Sequence, residues 1–177
     1  GRMGGGYIRT YNNSGRETSY LGTGSDNSGQ LRIYDKQGET RSYIGDGYLQ
    51  AYNQFGERTI FLGTGTNGGG YLRTYNFSGQ ESIYVGAGAD SSGQIRIYDN
   101  SGETGSFLGS GYFRTYNKFG KLTTFIGNAS DGGGYLRTNN KFETETVFLG
   151  TNNANEGLIN LNDKFGQSFW IRLNKKN

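Results

Sequence analysis

The stretch GYLRTYNFSGQESIYVG, from Gly70 to Gly86, contains the pattern that decides the fold. In its first half Tyr71, Arg73 and Tyr75 alternate with Leu, Thr and Asn, and an alternation of period two is typical of a β-strand. Asn-Phe-Ser-Gly follows, and Asn at the first and Gly at the fourth position favour a type I turn. A second strand then ends in Tyr-Val-Gly. The stretch therefore predicts one β-hairpin.

The hairpin pattern recurs along the whole chain of 177 residues. Successive copies are separated by 23, 18, 23, 23, 18, 23 and 23 residues, so that similar sequences return every 64 residues. Tandem repeats of this kind are typical of proteins in which each unit packs on its neighbours. The copies begin at Gly6, Gly29, Gly47, Gly70, Gly93, Gly111, Gly134 and Gly157.

We therefore predict an all-β fold of tandem β-hairpin repeats, with eight two-strand units in a 64-residue super-repeat. The repeats are expected to form a β-solenoid or a triple-stranded β-fibre, with residues 1–177 as a single β-repeat array. Gly4, Gly5 and Gly6 match the end of the loop that leads into Gly70. We therefore expect the array to be a fragment of a longer chain.

The turns repeat the same chemistry with one exception. Asn or Asp begins each turn, and the Gly three residues later can adopt the positive φ of a following bulge. Glu143 occupies this Gly position in the seventh unit, and because positive φ is unfavourable for a residue with a side chain, we expect an altered turn there. Two connections between units are short, and we predict single linking residues, Asp46 and Ser110.

The two faces of the predicted sheet differ in chemistry. One face is aliphatic, and we predict that it forms the core, whereas the other is aromatic. Because both faces are partly apolar, the units are expected to stack on one another or on other chains. The aliphatic set comprises Ile8, Leu21, Leu31, Ile33, Ile44, Leu49, Ile60, Leu62, Leu72, Ile83, Val85, Ile95, Ile97, Leu108, Ile126, Leu136, Val147, Leu149, Ile159, Leu161 and Ile171. The second-strand aromatic residues are Tyr20, Tyr43, Phe61, Tyr84, Phe107, Phe125 and Phe148.

The composition excludes several classes of function. The chain has 33 Gly but no Cys, His or Pro, so that it has no disulfide framework, no thiolate zinc site and no imidazole base. Its net charge of +3 is dispersed, and we expect no nucleic acid partner. No apolar run approaches the ~18 residues of a membrane helix, and no membrane insertion is expected. We predict a protein that is not an enzyme and that has no cofactor or metal.

Two rows of residues on the aromatic side are candidates for a binding surface or an interface. Arg beside Tyr suits an anionic glycan through bidentate contacts and stacking. The alternatives are ion pairs with Glu17, Glu39, Glu57, Glu81 and Glu103 across the hairpins, and packing of the rings against a neighbouring chain or coil. The Arg row is Arg9, Arg32, Arg73, Arg96, Arg114 and Arg137, and the Tyr row is Tyr11, Tyr34, Tyr52, Tyr75, Tyr98 and Tyr116.

In tandem, Gly-x-Leu-x-x-Tyr-Asn-x-x-Gly followed by aromatic-Leu-Gly resembles the glycine-punctuated β-repeats of phage tail-fibre and tail-spike shafts. These include the triple-stranded β-helices of phage hyaluronate-degrading proteins. The resemblance covers essentially the whole chain, and it implies a homotrimeric, elongated fibre that reaches a host surface. A weaker likeness links the chain to the choline- and glucan-binding repeats of cell-wall proteins, whose paired Trp residues it lacks.

We therefore predict a structural repeat fibre or spacer for surface attachment, extracellular or on a virion surface, that forms a homo-oligomer (a trimer is favoured) or a fibril. Three alternatives stay open. One is a carbohydrate-binding repeat module that uses the Tyr and Arg rows to bind a cell-surface polysaccharide. Another is a polysaccharide depolymerase that acts through a unique pair of carboxylates, for which Glu143, Glu145 and Glu156 are the most irregular. The third is a self-assembling extracellular fibril.

The loops between units carry three aspartates within Gly, Ser and Asn runs: Asp26, Asp90 and Asp131. Carboxylates are ligands for hard cations, but the spacing of a calcium loop is absent. Ordinary loop chemistry, in which Asp bonds to the nearby backbone, is the favoured interpretation.

Overall fold

The computed structural model of the chain describes residues 5–65, 68–130, 132–152 and 154–173, of which 171–173 are described by their backbone alone. These residues contain no helix, and their strands follow one another as antiparallel hairpins. The predicted all-β fold of tandem hairpin repeats is thereby confirmed. The chain divides into two units, residues 1–87 and residues 88–177.

In the first unit every strand pairs with the strand that precedes it in the chain, which makes an antiparallel meander. The pairing is local because each connection is only two to five residues long, too short for a crossover. The strands are β1 (Ile8–Tyr11), β2 (Glu17–Thr23), β3 (Gly29–Tyr34), β4 (Thr40–Gly45), β5 (Tyr48–Tyr52), β6 (Arg58–Thr64), β7 (Gly70–Tyr75) and β8 (Glu81–Ala87).

The second unit repeats this meander of paired neighbours. Its strands are β9 (Gly93–Tyr98), β10 (Thr104–Gly109), β11 (Tyr112–Tyr116), β12 (Leu122–Asn128), β13 (Gly134–Asn139), β14 (Glu145–Thr151), β15 (Gly157–Asn162) and β16 (Ser168–Leu173).

The hairpin turns are built by their first residue. In the turn between β1 and β2, the Asn12 carbonyl accepts a hydrogen bond from the Gly15 amide at 2.9 Å. The Asn12 side-chain oxygen accepts two more, from the amides of Ser14 and Arg16 at 2.9 and 3.0 Å. Asn or Asp at this position therefore satisfies backbone donors that the strands leave unpaired. Gly15 takes a φ of 73°, as the sequence predicts.

The turn at Glu143 is not altered, contrary to expectation. Glu143 adopts a φ of 66°, and its amide donates to the Asn140 carbonyl at 3.0 Å, as Gly does in the other turns. The Asn140 side chain also accepts from the amides of Phe142 and Thr144. A left-handed backbone conformation costs free energy at a residue with a side chain such as Glu143. The hydrogen bonds of the turn offset this cost and keep the turn geometry.

The two short connections are two-residue turns, and the prediction of single linking residues was wrong. Asp46 and Gly47 have φ values of 51° and 79°, and Ser110 and Gly111 have values of 50° and 81°. Two consecutive positive φ values are typical of a type I′ turn, whose twist matches that of the flanking strands. The glycine that starts the next sequence repeat therefore belongs to the turn.

The aliphatic side chains do not form a buried core within either unit, which corrects the prediction. In the first unit Ile8, Leu21, Leu31, Ile44, Leu49, Leu62, Leu72 and Val85 face one another as direct cross-strand partners. This ladder stays open to solvent, with Ile8 63% and Leu62 51% exposed. Within the described part of the chain, Phe125 on the opposite face is the one large apolar side chain that is buried, at 5% exposure. A sheet buries a face only against a second layer, and neither unit provides one.

Candidate functional site

The opposite face carries a second ladder in which arginine and aromatic side chains alternate. In the second unit Arg96 is the cross-strand partner of Phe107, Phe107 of Arg114, and Arg114 of Phe125. Cross-strand partners project from the same face of a sheet, about 5 Å apart. The structure therefore brings the predicted Arg row together with the second-strand aromatic residues. The ladders are Arg9, Tyr20, Arg32, Tyr43, Gln50, Phe61, Arg73 and Tyr84, and Arg96, Phe107, Arg114, Phe125, Arg137, Phe148, Asn160 and Ile171. The register thus assigns Ile171 to this ladder and not to the aliphatic one, which corrects the prediction.

The rings of this face form a continuous stack that also includes the Tyr after the first Gly of a unit. The ring centroids of Phe107, Tyr112, Phe125, Tyr135 and Phe148 follow one another at 5.2, 5.6, 4.6 and 5.5 Å. These separations are in the range of stabilising aromatic pairs. In the first unit Tyr43, Tyr48, Phe61, Tyr71 and Tyr84 form an equivalent stack.

Glycine makes room for the stacked rings. Gly127 is the cross-strand partner of both Tyr112 and Tyr135. A Cβ added to Gly127 would lie 2.5 Å from the Cβ of Tyr112 and 3.0 Å from the Gly111 carbonyl oxygen. The aromatic-aliphatic-Gly ending of the second strand therefore places a ring and the space for the next ring on the same face. Sequence reasoning did not include this first-strand Tyr in a candidate row, because only the strand register places it opposite a Gly.

Five arginines of the predicted row have their guanidinium groups over these rings: Arg9, Arg32, Arg73, Arg96 and Arg114. The Cζ of Arg114 is 4.2 Å from the Tyr112 ring centroid and 5.4 Å from that of Phe125, and Arg73 has a similar position over Tyr71 and Tyr84. Both geometries are within the ~6 Å range of cation–π attraction. The Nε atoms of five arginines are buried without a hydrogen-bond partner: Arg32, Arg73, Arg96, Arg114 and Arg137.

The remaining guanidinium donors find partners inside the chain in several hairpins. Arg9 and Arg73 form ion pairs with Glu17 and Glu81, at 3.5 and 3.4 Å. Where Gln replaces the stacking Tyr, its amide oxygen accepts from Arg, as in the bond from Arg32 to Gln30 at 3.1 Å. Through these contacts the arginines pack on their own face of the sheet. The side chains of Arg9 and Arg73 stay about two-fifths exposed.

The predicted Tyr row lies on the same face, at the end of the sheet that carries the hairpin turns. Its cross-strand partners are not uniform: Tyr11 and Tyr75 face Glu17 and Glu81, whereas Tyr52 faces Arg58. Arg58 also lies 4.8 Å from the Tyr75 ring centroid. The other members of the row, with their partners, are Tyr34 with Thr40, Tyr98 with Thr104, and Tyr116 with Leu122.

The aspartates of the loops bind to the loop itself. Asp26 accepts the Ser28 hydroxyl at 2.8 Å, and Asp90 accepts the Ser92 hydroxyl at 2.6 Å. These hydroxyl bonds hold the pKa of Asp26 and of Asp90 below the ordinary value for Asp. Asp131 lies outside the described residues. No group of three His, Cys, Asp or Glu side chains suited to a metal ion occurs within the described residues.

The three irregular glutamates are each engaged with a nearby structural group. Glu143 forms an ion pair with Lys121 at 2.9 Å. Glu145 accepts a hydrogen bond from the side-chain amide of Asn162 at 3.4 Å, and Glu156 accepts one from the side-chain amide of Asn152 at 3.2 Å. The bond from Lys121 holds the pKa of Glu143 below its ordinary value.

Five hairpin turns carry, at one of their two central positions, a phenylalanine that sequence reasoning did not single out. They are the most exposed of the described large hydrophobic residues, at 70–83%. In three successive turns of the second unit a Lys precedes the Phe, and its Nζ lies over the ring at 4.9–5.1 Å from the centroid. The readable signal was the repeat of Lys-Phe at the centre of the turn motif. The five residues are Phe55, Phe77, Phe119, Phe142 and Phe165.

Comparisons with known proteins place the chain in no family. No protein-family model matches it, and no curated protein matches it. Among solved structures it is similar to a Tc holotoxin pore of Photorhabdus luminescens, with 13% identity and a TM-score of 0.26. That match covers 89% of this chain but only 12% of the toxin chain.

As for membrane spans, none of the described residues form a helix of the length and apolar character that a crossing requires.

Proposed function

We propose that the chain is a structural segment of a surface-attachment fibre and that copies of it assemble through their aliphatic faces. The observation that carries the proposal is the composition of that face. In the first unit two neighbouring ladders of cross-strand partners contain aliphatic, Ser, Thr and Ala residues and no charged one. In the second unit the ladders are likewise free of charge from β9 to β15, and Arg172 is the register partner of Ile159 in the last strand. An exposed apolar surface of this extent marks an interaction site.

Several of the polar side chains of the aliphatic face form hydrogen bonds with one another. The hydroxyl groups of Thr10 and Ser19 are 2.6 Å apart, and those of Thr74 and Ser82 are 2.8 Å apart. Because burial is costly only for a polar group that lacks a hydrogen bond, these hydroxyls can enter an interface without a large penalty. These hydroxyl pairs therefore do not oppose burial of the face.

The size of the face suits a stable interface. With eight strands about 4.8 Å apart and some six residues long at ~3.3 Å each, one unit offers on the order of 750 Å². A standard protein–protein interface buries about 800 Å² per partner. A second copy of the chain is the occupant that fits best, because its ladders have the same strand spacing and the same lack of charge.

The number of copies and the setting are further parts of the proposal. Three copies around a common axis would enclose one apolar core, and the resemblance of the repeats to phage tail-fibre shafts supports this number. The same resemblance supports an extracellular or virion location and a role as a rigid spacer that reaches a host surface. The short local connections of the meander suit a spacer, because they allow repeats to be added without altering the neighbouring ones.

The test is the mass of the chain in solution, measured by light scattering after size exclusion. We expect a discrete oligomer, with a trimer close to three times the chain mass of 19.4 kDa. Leu62→Lys places a charge in the middle of the aliphatic face and is expected to give monomers or smaller oligomers. The matched control is Gln50→Lys, which adds the same charge to the opposite face, where equivalent hairpins carry Arg.

A wild-type chain that is monomeric at all concentrations, or equal masses for Leu62→Lys and wild type, would contradict assembly through this face. A stable dimer would retain the interface but remove the threefold arrangement.

A further inference from the structure

Three neighbouring turns at one edge of the second unit present a row of exposed phenylalanine rings. Because antiparallel neighbours alternate in direction, the turns between β11 and β12, β13 and β14, and β15 and β16 lie on the same edge of the sheet. Phe119, Phe142 and Phe165 are 70%, 73% and 73% exposed. Two strand spacings separate neighbouring turns, so that the rings follow one another at about 10 Å.

Each ring is accompanied by a lysine whose ammonium group lies over it at a similar distance. The Nζ atoms of Lys118, Lys141 and Lys164 lie 5.1, 4.9 and 4.9 Å from the ring centroids of the residues that follow them. Among the described residues none of these three lysines has an ion-pair partner. Every turn therefore presents one apolar ring and one uncompensated positive charge at its tip.

The turns are braced against one another. The Asn140 side chain donates to the Lys164 carbonyl at 3.1 Å, and Lys121 forms its 2.9 Å ion pair with Glu143 of the next turn. The Glu143 carboxylate also accepts from the Leu122 amide at 3.4 Å. The ion pair with Lys121 compensates the negative charge of Glu143, which would otherwise repel an anionic partner. The left-handed Glu143 thus links two turns of the row, a contact that Gly at that position could not make.

We propose that this edge, defined by Lys118–Phe119, Lys141–Phe142 and Lys164–Phe165, binds the headgroup region of an anionic lipid bilayer. Phe rings are stable at the boundary of headgroups and acyl chains, ~5–10 Å into the bilayer, and neighbouring lysines pair with anionic headgroups. A row of tips at one edge of a rigid sheet meets a flat surface at several points at once. The rings contain no hydrogen-bonding group, which favours a lipid surface over the hydroxyls of a glycan.

This edge is separate from the aliphatic face, and the inference does not rest on the proposed assembly. The expectation that the chain does not insert into a membrane came from the lack of a long apolar run. That criterion concerns spanning helices and does not address side chains that enter only the headgroup region.

The experiment is co-sedimentation of the intact chain with vesicles of phosphatidylcholine alone and of phosphatidylcholine mixed with phosphatidylserine. We expect binding to the mixed vesicles only, weakened by salt. Removing all three rings in F119S/F142S/F165S should reduce the partition coefficient at least about tenfold, since each ring loses its apolar burial. Each Lys→Gln change in the row should reduce it about fivefold.

The matched control is F55S/F77S, which removes two equally exposed rings from turns of the first unit that lack the Lys-Phe pair. Its partition coefficient should remain within about twofold of wild type. Ring entry is read from Phe142→Trp, whose emission should shift to the blue with mixed vesicles, after subtraction of the emission of the single natural Trp170.

Three results would overturn the proposal: no binding to mixed vesicles, equal losses in the control and the triple variant, or binding without a blue shift. Retention by an acidic polysaccharide such as polygalacturonate, without vesicle binding, would also overturn it and assign the edge to a glycan. Solution mass distinguishes this proposal from the assembly, because the triple variant should keep the oligomer of the wild type.

Discussion

Arg114 and Phe125 are direct partners across β11 and β12, with the guanidinium carbon 5.4 Å from the ring centroid of the only large apolar side chain buried among the described residues. The cation is thus part of the packing of the ring. This relationship, repeated along both ladders, explains why most rings of the aromatic face are at least half-buried by neighbours in the same chain, whereas no described aliphatic side chain is buried.

Phe125→Ala should destabilise the chain by about 3 kcal/mol, because it removes a buried ring and leaves a cavity between Tyr112 and Tyr135. The measurement is urea unfolding at a fixed chain concentration. The control, Phe119→Ala at a turn tip, should change the free energy of unfolding by less than about 0.5 kcal/mol. Similar losses in the two variants would mean that the ring stack contributes little to stability.

Arg114→Lys should lower the free energy of unfolding by about 0.5–1 kcal/mol, although the charge is kept. The reason is that the planar guanidinium stacks between Tyr112 and Phe125, which an ammonium group cannot do. High salt should leave this loss unchanged. Arg73→Glu, by contrast, breaks an ion pair with Glu81 and should show a loss that salt reduces. An Arg114→Lys variant as stable as wild type would contradict the stacking role.

Gly127→Ala should destabilise the chain by about 1–3 kcal/mol, since the added methyl group would lie 2.5 Å from Tyr112 Cβ and 3.0 Å from a backbone oxygen. Gly134→Ala is the matched control, because nothing lies within 4 Å of its added Cβ and its φ is not positive. Thermal unfolding of the two variants decides the matter. A loss of stability in the control alone would show that backbone freedom, and not space for the rings, explains the glycines.

Lys121→Met should raise the pKa of Glu143 towards its ordinary value, because the hydrogen bond from Lys121 is the main cause of the lowered pKa. The measurement is an NMR titration of the side-chain carboxyl carbon. A group whose pKa is lowered in the folded state stabilises that state above its unfolded pKa, near 4.5, and loses this effect as the pH falls through the folded pKa. Wild type should therefore lose stability below about pH 4.5 more steeply than Glu143→Gln. Identical titration curves in wild type and Lys121→Met would refute the pairing.

The hairpins and most of their turns could be predicted because their causes are local. The alternation around Arg73 and the Asn-x-x-Gly motif act over a few residues, and the structure reproduces both. Glu143 could not be predicted in the same way. Its strained φ persists because Asn140 anchors the turn, and its side chain is held by Lys121, which lies in the preceding turn. Such a contact depends on which turns become neighbours in space.

The sequence identified many residues of the candidate site but not which of their side chains contact one another. The Arg row and the second-strand rings were visible as repeated positions, whereas the stack through Tyr112 and Tyr135 required the strand register. The Lys-Phe pairs were visible as letters, but their importance depends on the exposure of Phe142 and on the shared edge.

The sequence by itself determined the repeat period, the all-β fold of hairpins and the positions of the hairpin turns, because the strand and turn patterns depend on side chains one to four residues apart. Only the tertiary structure decided which face is covered. The alternation of residues assigns Leu62 and Phe61 to opposite faces of the sheet. It does not show which of the two faces is covered by other side chains. Phe61 is covered because the rings of Tyr48 and Tyr71 reach it over glycines, at 5.5 and 5.1 Å. The shorter Leu62 finds only its row neighbours and stays half exposed, so that its burial requires a second layer.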